Sequence, residues 1–154
     1  FVNACVKNGV DGLIIVDLQP EEDLSLSKEI KKRNINLIRL ITPTTNKERL
    51  KTILNNASGF LYYVTVTGIT GQNSANIEEL EKSIKLIKSK SNLPVVAGFG
   101  IKNKKDVENI SSFTDGVVVG SSIVNIIKGN IQNKKEMLSK IDIFTKDLKS
   151  GIKS

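Results

Sequence analysis

Five short apolar runs punctuate the chain: Asp11–Asp17 (DGLIIVD), Asn36–Ile41 (NLIRLI), Phe60–Val66 (FLYYVTV), Pro94–Ala97 (PVVA) and Gly116–Val119 (GVVV). They are rich in β-branched residues and nearly continuous. Strands covered on both faces look like this, whereas half-exposed antiparallel strands alternate. Between the runs, polar and apolar residues recur with a period near 3.6. Pro20 opens one such stretch, and Glu21, Glu22 and Asp23 fall in its first turn, where the helix dipole favours anions. Asn46 is placed to cap the next, with Leu50, Ile53, Leu54 and Ala57 as its buried face. Asn76 begins a third helix carrying Ile77, Leu80, Ile84 and Ile87, and Asn103 a fourth with Val107 and Ile110 facing in. Strand and helix alternate throughout, which predicts a parallel sheet with right-handed crossovers. No linker, low-complexity tract or domain boundary interrupts residues 1–154, which read as a single domain.

Two architectures accommodate five such units. One is a complete, open, doubly wound five-stranded sheet, which suits 154 residues. The other is the last five units of an eight-stranded (β/α) barrel, whose full length is about 250 residues. Counting favours the first.

Composition narrows the chemistry. There is no histidine and one cysteine, Cys5, so His-dependent triads, imidazole metal sites, multi-Cys zinc sites and an internal disulfide framework are excluded. Cys5 reads as a small buried residue of the opening helix, without a histidine to activate it. No apolar run approaches the roughly 20 residues of a membrane span. The net charge of +7 is concentrated in residues 128–154, which hold seven Lys against Glu136, Asp142 and Asp147. Met137, Leu138, Ile141, Phe144 and Leu148 recur there at helical spacing, so the tail reads as one amphipathic helix with lysines on its wet face. It contains no arginine fork and no Tyr or Trp to stack on bases, so neither nucleic acid nor membrane is expected as a partner.

Glycine-bearing loops follow the last three strands: Thr67-Gly68-Ile69-Thr70-Gly71, Gly98-Phe99-Gly100-Ile101 and Gly120-Ser121-Ser122. The last precedes a short apolar helix, Ile123–Lys128. In (β/α) barrels, loops after the final strands and the N-terminus of a short helix bind phosphate through exposed amides. Each glycine alone would read as a turn; the three in succession favour phosphate.

VDGLIIVDLQPEED, LITPTT, YYVTVTGITG, LPVVAGFGIK and DGVVVGSSIV stand in the order and spacing of the tryptophan synthase alpha chain, which residues Phe1 to about Ile127 resemble. The resemblance implies the barrel rather than the open sheet, beginning at the helix before the fourth strand, with about 100 residues preceding the opening Phe1. It implies a carbon–carbon lyase of tryptophan biosynthesis that cleaves indole-3-glycerol phosphate, by a retro-aldol reaction, to indole and glyceraldehyde 3-phosphate. It also implies an αββα heterotetramer whose beta chain holds pyridoxal phosphate, the alpha chain itself needing no cofactor or metal. The expected compartment is a bacterial cytoplasm, or the stroma of a plastid for a plastid-encoded chain.

In the family, the acid–base pair is a Glu on the second strand and an Asp on the loop after it, and neither motif occurs here. The chain alone is therefore expected to be inactive. Tyr62 matches a tyrosine beside that carboxylate, a supporting position, and Tyr63 should point to the opposite face of the strand. Phe99 matches a phenylalanine flanking the indole ring, Thr70 a threonine of a mobile lid, and Gly71, Gly100, Gly120 and Ser121 phosphate-loop positions. Asp17, at a strand end, matches no catalytic acid and reads as a cap or ion-pair partner for the next helix. Two positions depart from the family pattern: Gln19 stands where proline is usual, near the beta-chain surface, and the lid after Gly71 lacks its frequent arginine. The alternative reading is a non-catalytic phosphate-binding or interaction module complete at this length.

Overall fold

In the computed structural model, residues 1–64, 74–98 and 100–152 are described. After α1 (Val2–Lys7), strands and helices alternate as β1 (Gly12–Ile14), α2 (Leu24–Lys32), β2 (Asn36–Ile41), α3 (Lys47–Asn55), β3 (Leu61–Val64) and α4 (Ser74–Lys88). They continue as β4 (Val95–Gly98), α5 (Lys104–Ile110), β5 (Gly116–Val117), α6 (Ser121–Gly129) and α7 (Lys134–Lys149). All four strand pairings are parallel, and the strand order in space is β1-β2-β3-β4-β5, the order of the sequence. An open doubly wound sheet reverses direction at a switch point; here none exists, and successive strands add on one side as they do around a barrel wall. The doubly wound alternative is thereby set aside.

Strand alternation sorts side chains to two faces. Leu61, Tyr63, Val95 and Ala97 point to the helices and are almost completely buried, with Ile84, Ile87, Val107 and Ile110 packed among them. Burial of each such side chain contributes about 1.5–3 kcal/mol for the larger aliphatic ones. On the other face Leu40, Tyr62, Val96 and Gly116 stand in one row by register and are only half-buried. A second, smaller core joins Val2 and Cys5 of α1 to Ile30, Ile35 and Leu37, which confirms Cys5 as a buried residue.

The helix caps at α3 and α5 follow the sequence expectation. Asn46 accepts from the Arg49 N–H at 2.8 Å, and Asn103 with Asp106 forms a reciprocal capping box before α5. Four expectations need correction. The run Asp11–Asp17 pairs only over Gly12–Ile14, because the chain turns at Val16 and Asp17 instead of continuing along β2. The helix expected to open at Pro20 starts at Leu24, because Pro20–Glu22 form a turn and Asp23, at the N-cap, sends its side chain into the core. The third helix is already formed at Ser74, ahead of the expected Asn76. The tail is not one helix over 128–154. Asn130 ends α6, and Asn133 starts α7 by accepting from the Glu136 N–H at 3.1 Å. Met137, Ile141, Phe144 and Leu148 of α7 turn inward, but Leu138 is 53 % exposed. Lysines on its wet side pair with acids one turn away, Lys140 with Glu136 and Lys146 with Asp142, each at 2.7 Å. Among the described residues, no helix is long and apolar enough to cross a membrane.

Candidate functional site

The C-terminal ends of β3, β4 and β5 carry the candidate site, the end of a parallel sheet at which α/β proteins bind ligands. Tyr62 projects from β3 on the half-buried face, and its ring lies against Gly98, the last residue of β4. A Cβ built on Gly98 would sit 2.6 Å from Tyr62 Cε2 and 2.9 Å from Cζ, with the hydroxyl oxygen closer still. Only glycine leaves room for the ring there. Tyr63 faces the other way, as expected, where burial raises its pKa and a hydrogen bond with Ser83 partly opposes the shift.

Beyond β4 the backbone turns through Gly100, whose φ of 58° lies in the left-handed region that glycine adopts without strain. Ile101 then drops into the core, 2 % exposed. Its carbonyl accepts a hydrogen bond of 2.7 Å from the Ser122 hydroxyl, in the first turn of α6. One hydroxyl thus ties the loop after β4 to the helix that follows β5. Gly120 is the N-cap of α6 and offers no side chain to cap it, while the N–H groups of Ile123 and Val124 are satisfied by the Gly120 carbonyl at 3.0 and 3.1 Å. The amides of Gly120, Ser121 and Ser122 have no acceptor among the described residues, and a Cβ at Gly120 would meet nothing within 4 Å. The result is an open, uncapped helix N-terminus with its dipole directed outward, an arrangement that favours an anion without any Lys or Arg.

Of the sequence-predicted site residues, Gly100 lies in the loop after β4 and Gly120 and Ser121 at the start of α6, which the Ser122–Ile101 bond joins, while Tyr62 lies against Gly98 at the end of β4. Thr70, Gly71 and Phe99 lie outside the described residues. Asp17 does not fulfil its expected role: it is exposed and makes no hydrogen bond or ion pair among the described residues, because the turn at 16–17 carries it away from α2. No group of three or more potential metal ligands occurs among the described residues.

The sequence reading missed a second polar cluster, beside β1. Arg39, within the apolar run of β2, faces the helices and pairs with Asp23, which is completely buried. Arg39 also donates Nη1 to the Leu18 carbonyl at 3.4 Å. Burial lowers the Arg39 pKa, nearby Arg49 adds to the effect, and Glu21 opposes it. Arg49 in turn donates Nη1 to Glu21 and Nη2 to Gln19, and this hydrogen bond holds the Glu21 carboxyl below its usual pKa. Neither arginine could be paired from sequence, since the partners lie on other elements.

A parallel sheet wound in sequence order, with glycine loops and an uncapped helix start at its C-terminal rim, places the chain among (β/α)-barrel proteins. The family model described as tryptophan synthase alpha chain matches residues 1–153. The tryptophan synthase alpha chain of Zymomonas mobilis is 39 % identical over 152 residues, covering 99 % of this chain and 56 % of that protein. The tryptophan synthase alpha subunit structure from Legionella pneumophila superposes with a TM-score of 0.84 at 33 % identity, covering 98 % of this chain and 55 % of that one. A tryptophan synthase complex from Pyrococcus furiosus contains a chain that matches with a TM-score of 0.79 at 26 % identity, over 97 % of this chain and 58 % of that one. The chain belongs to the tryptophan synthase alpha chain family. It spans about half the length of the relatives it matches.

Proposed function

We propose that this chain supplies the phosphate-gripping part of a tryptophan synthase alpha subunit, a lyase that cleaves indole-3-glycerol phosphate to indole and glyceraldehyde 3-phosphate. The observation that carries this reading is the Ser122–Ile101 tie, which gathers the Gly100 turn and the uncapped α6 N-terminus on one rim next to Tyr62. The amides of Gly120 and Ser121 hold the phosphate, helped by Gly100 across the tie. Family resemblance adds Gly71 to the phosphate contacts, Phe99 to the indole ring and Thr70 to the lid.

The cleavage needs a base and an acid. The base takes the proton from the glycerol hydroxyl next to the indole, the carbon–carbon bond to the ring breaks as the carbonyl forms, and the acid delivers a proton to the ring carbon. Two carboxylates held at different pKa values can share these tasks. The family's Glu and Asp match no motif in these 154 residues, so this chain's contribution is binding and orientation. Tyr62, on the inner face beside Gly98, orients the carboxylate that acts there. The partner is a beta chain in an αββα assembly, where pyridoxal phosphate resides, and the alpha subunit needs no cofactor of its own. The likeness to the Pyrococcus furiosus complex supports the partnership.

Fusion to the first three strands of the Zymomonas mobilis relative tests the proposal, with indole release from indole-3-glycerol phosphate as the readout. The joined protein should cleave the substrate and residues 1–154 alone should not. Equal rates for the two would overturn the assignment of the chemistry to carboxylates outside this chain. Phosphate binding by the joined protein without cleavage would identify a non-catalytic module instead.

A further inference from the structure

Helices α3 and α4, which cover the Leu61 and Tyr63 face of the sheet, leave a groove of about 560 Å³ between them. Lys47, Leu50, Lys51 and Leu54 stand at i, i+3, i+4 and i+7 on α3, so helical geometry puts them in one stripe along it. Leu86 of α4, and Lys90 in the turn after that helix, form the opposite wall. Leu50 is buried and joins the core, Leu54 is half-buried, and Leu86 stays 42 % exposed. The floor is therefore apolar and one wall of it is wet.

The charge of the groove has one sign. Asn55 and the three lysines are its polar residues, and no Asp or Glu lines it among the described residues. Lys85 and Lys88 of α4 are paired, with Glu81 and Asp115 at 2.7 and 2.8 Å. Lys47, Lys51 and Lys90 make no ion pair or side-chain hydrogen bond among the described residues. An apolar floor ringed by three unpaired ammonium groups is complementary to a molecule with an apolar body and an anionic head. The volume falls among those of small-molecule pockets, about 300–1,000 Å³. From Lys47 to Leu54 the stripe runs about 10 Å, shorter than a docked helix of ordinary length.

We propose that the α3–α4 groove binds a fatty-acid-type carboxylate. Its hydrocarbon chain lies on Leu50, Leu54 and Leu86, and its carboxylate sits among Lys47, Lys51 and Lys90. The groove shares no residue with the phosphate rim and does not depend on the function proposed above.

Decanoate, below its micelle concentration, is titrated into residues 1–154 and followed by calorimetry and backbone amide resonances. Acetate carries the head without the chain, decanol the chain without the head, and decyltrimethylammonium the chain with the opposite charge. Decanoate should bind saturably, about tenfold or more tighter than each of the three, with shifts at Leu50, Leu54 and Leu86. Lys51→Glu/Lys90→Glu should weaken decanoate about tenfold and leave decanol unchanged. Lys134→Glu/Lys135→Glu on α7 changes the net charge equally and should leave both unchanged. Leu86→Gln should weaken decanoate and decanol alike. These side chains are exposed, so the variants should fold, and thermal unfolding checks it. No saturable binding of decanoate overturns the proposal. Decanol or the ammonium binding as tightly as decanoate overturns the role of the lysines. An equal loss in the α7 variant shows attraction to net charge alone and overturns the site. Capture by phosphatidylglycerol vesicles without binding of free decanoate would identify a lipid surface instead.

Discussion

The ring of Tyr62 fills the space that a side chain on Gly98 would need. The two residues sit on adjacent strands, where Tyr62 is in register with Val96 and Val64 with Gly98, so the ring leans along its strand toward the C-terminal rim. Gly98→Ala should therefore push the ring from its place and destabilise the chain by about 1–3 kcal/mol, as overpacking does. Tyr62→Ala in the same chain should recover much of that loss, because the clash disappears with the ring. Urea unfolding of the two single variants and the double variant checks this; additive effects would show that the ring and the glycine do not share the space.

The buried Asp23–Arg39 pair gives a prediction of opposite signs. Both carboxylate oxygens of Asp23, and Nε and Nη2 of Arg39, are buried and have no hydrogen-bond partner beyond the pairing itself among the described residues. Removing one partner strands a buried charge, so Asp23→Ala or Arg39→Ala should cost about 3–5 kcal/mol. Replacing both by apolar residues, as in Asp23→Leu/Arg39→Met, should be near neutral or stabilising by comparison. Thermal unfolding of the four proteins provides the comparison.

Gly120→Asp separates folding from binding. An aspartate at this N-cap can accept from free amides of α6, so stability should hold or rise slightly. The same carboxylate would occupy and repel the anion position, so calorimetric binding of glycerol 3-phosphate should fall at least about tenfold.

Asp115 sets an acid limit on the sheet. Its carboxylate accepts from the Val95 N–H at 2.7 Å and from Lys88 at 2.8 Å. Desolvation pushes its pKa up, but these two bonds outweigh it and the net shift is downward. A pKa lower in the folded than in the unfolded chain means a contribution fully present above the unfolded value of about 3.9. It is lost as pH falls further, through the folded value. Unfolding curves between neutral pH and about pH 3 should show a smaller acid loss in Asp115→Asn than in wild type.

The strand and helix repeat was legible because the buried faces repeat at short range: Leu80, Ile84 and Ile87 mark α4 by spacing alone, and Asn46 and Asn103 announce their helices through bonds that reach three residues. The glycines of the rim were legible as a set for the same reason, each lying directly after its strand. Long-range pairings were not. Arg39 hides in an apolar run and reveals its purpose only when Asp23 is folded beneath it. Gly98 looked like one more loop residue until Tyr62 was laid across it. The end of β1 and the break at Asn130–Asn133 depend on whether tertiary partners continue the element, which local periodicity does not encode.

The proposed function requires the Gly100 turn and the α6 N-terminus to act as one phosphate site. Titrating the chain with glycerol 3-phosphate while following backbone amide resonances tests it directly. A single shared site gives saturable shifts concentrated at Gly100, Gly120, Ser121 and Ser122, and weakened binding when Ser122→Ala cuts the tie to Ile101. Unperturbed amides at these four residues, with shifts elsewhere or none at all, would contradict it.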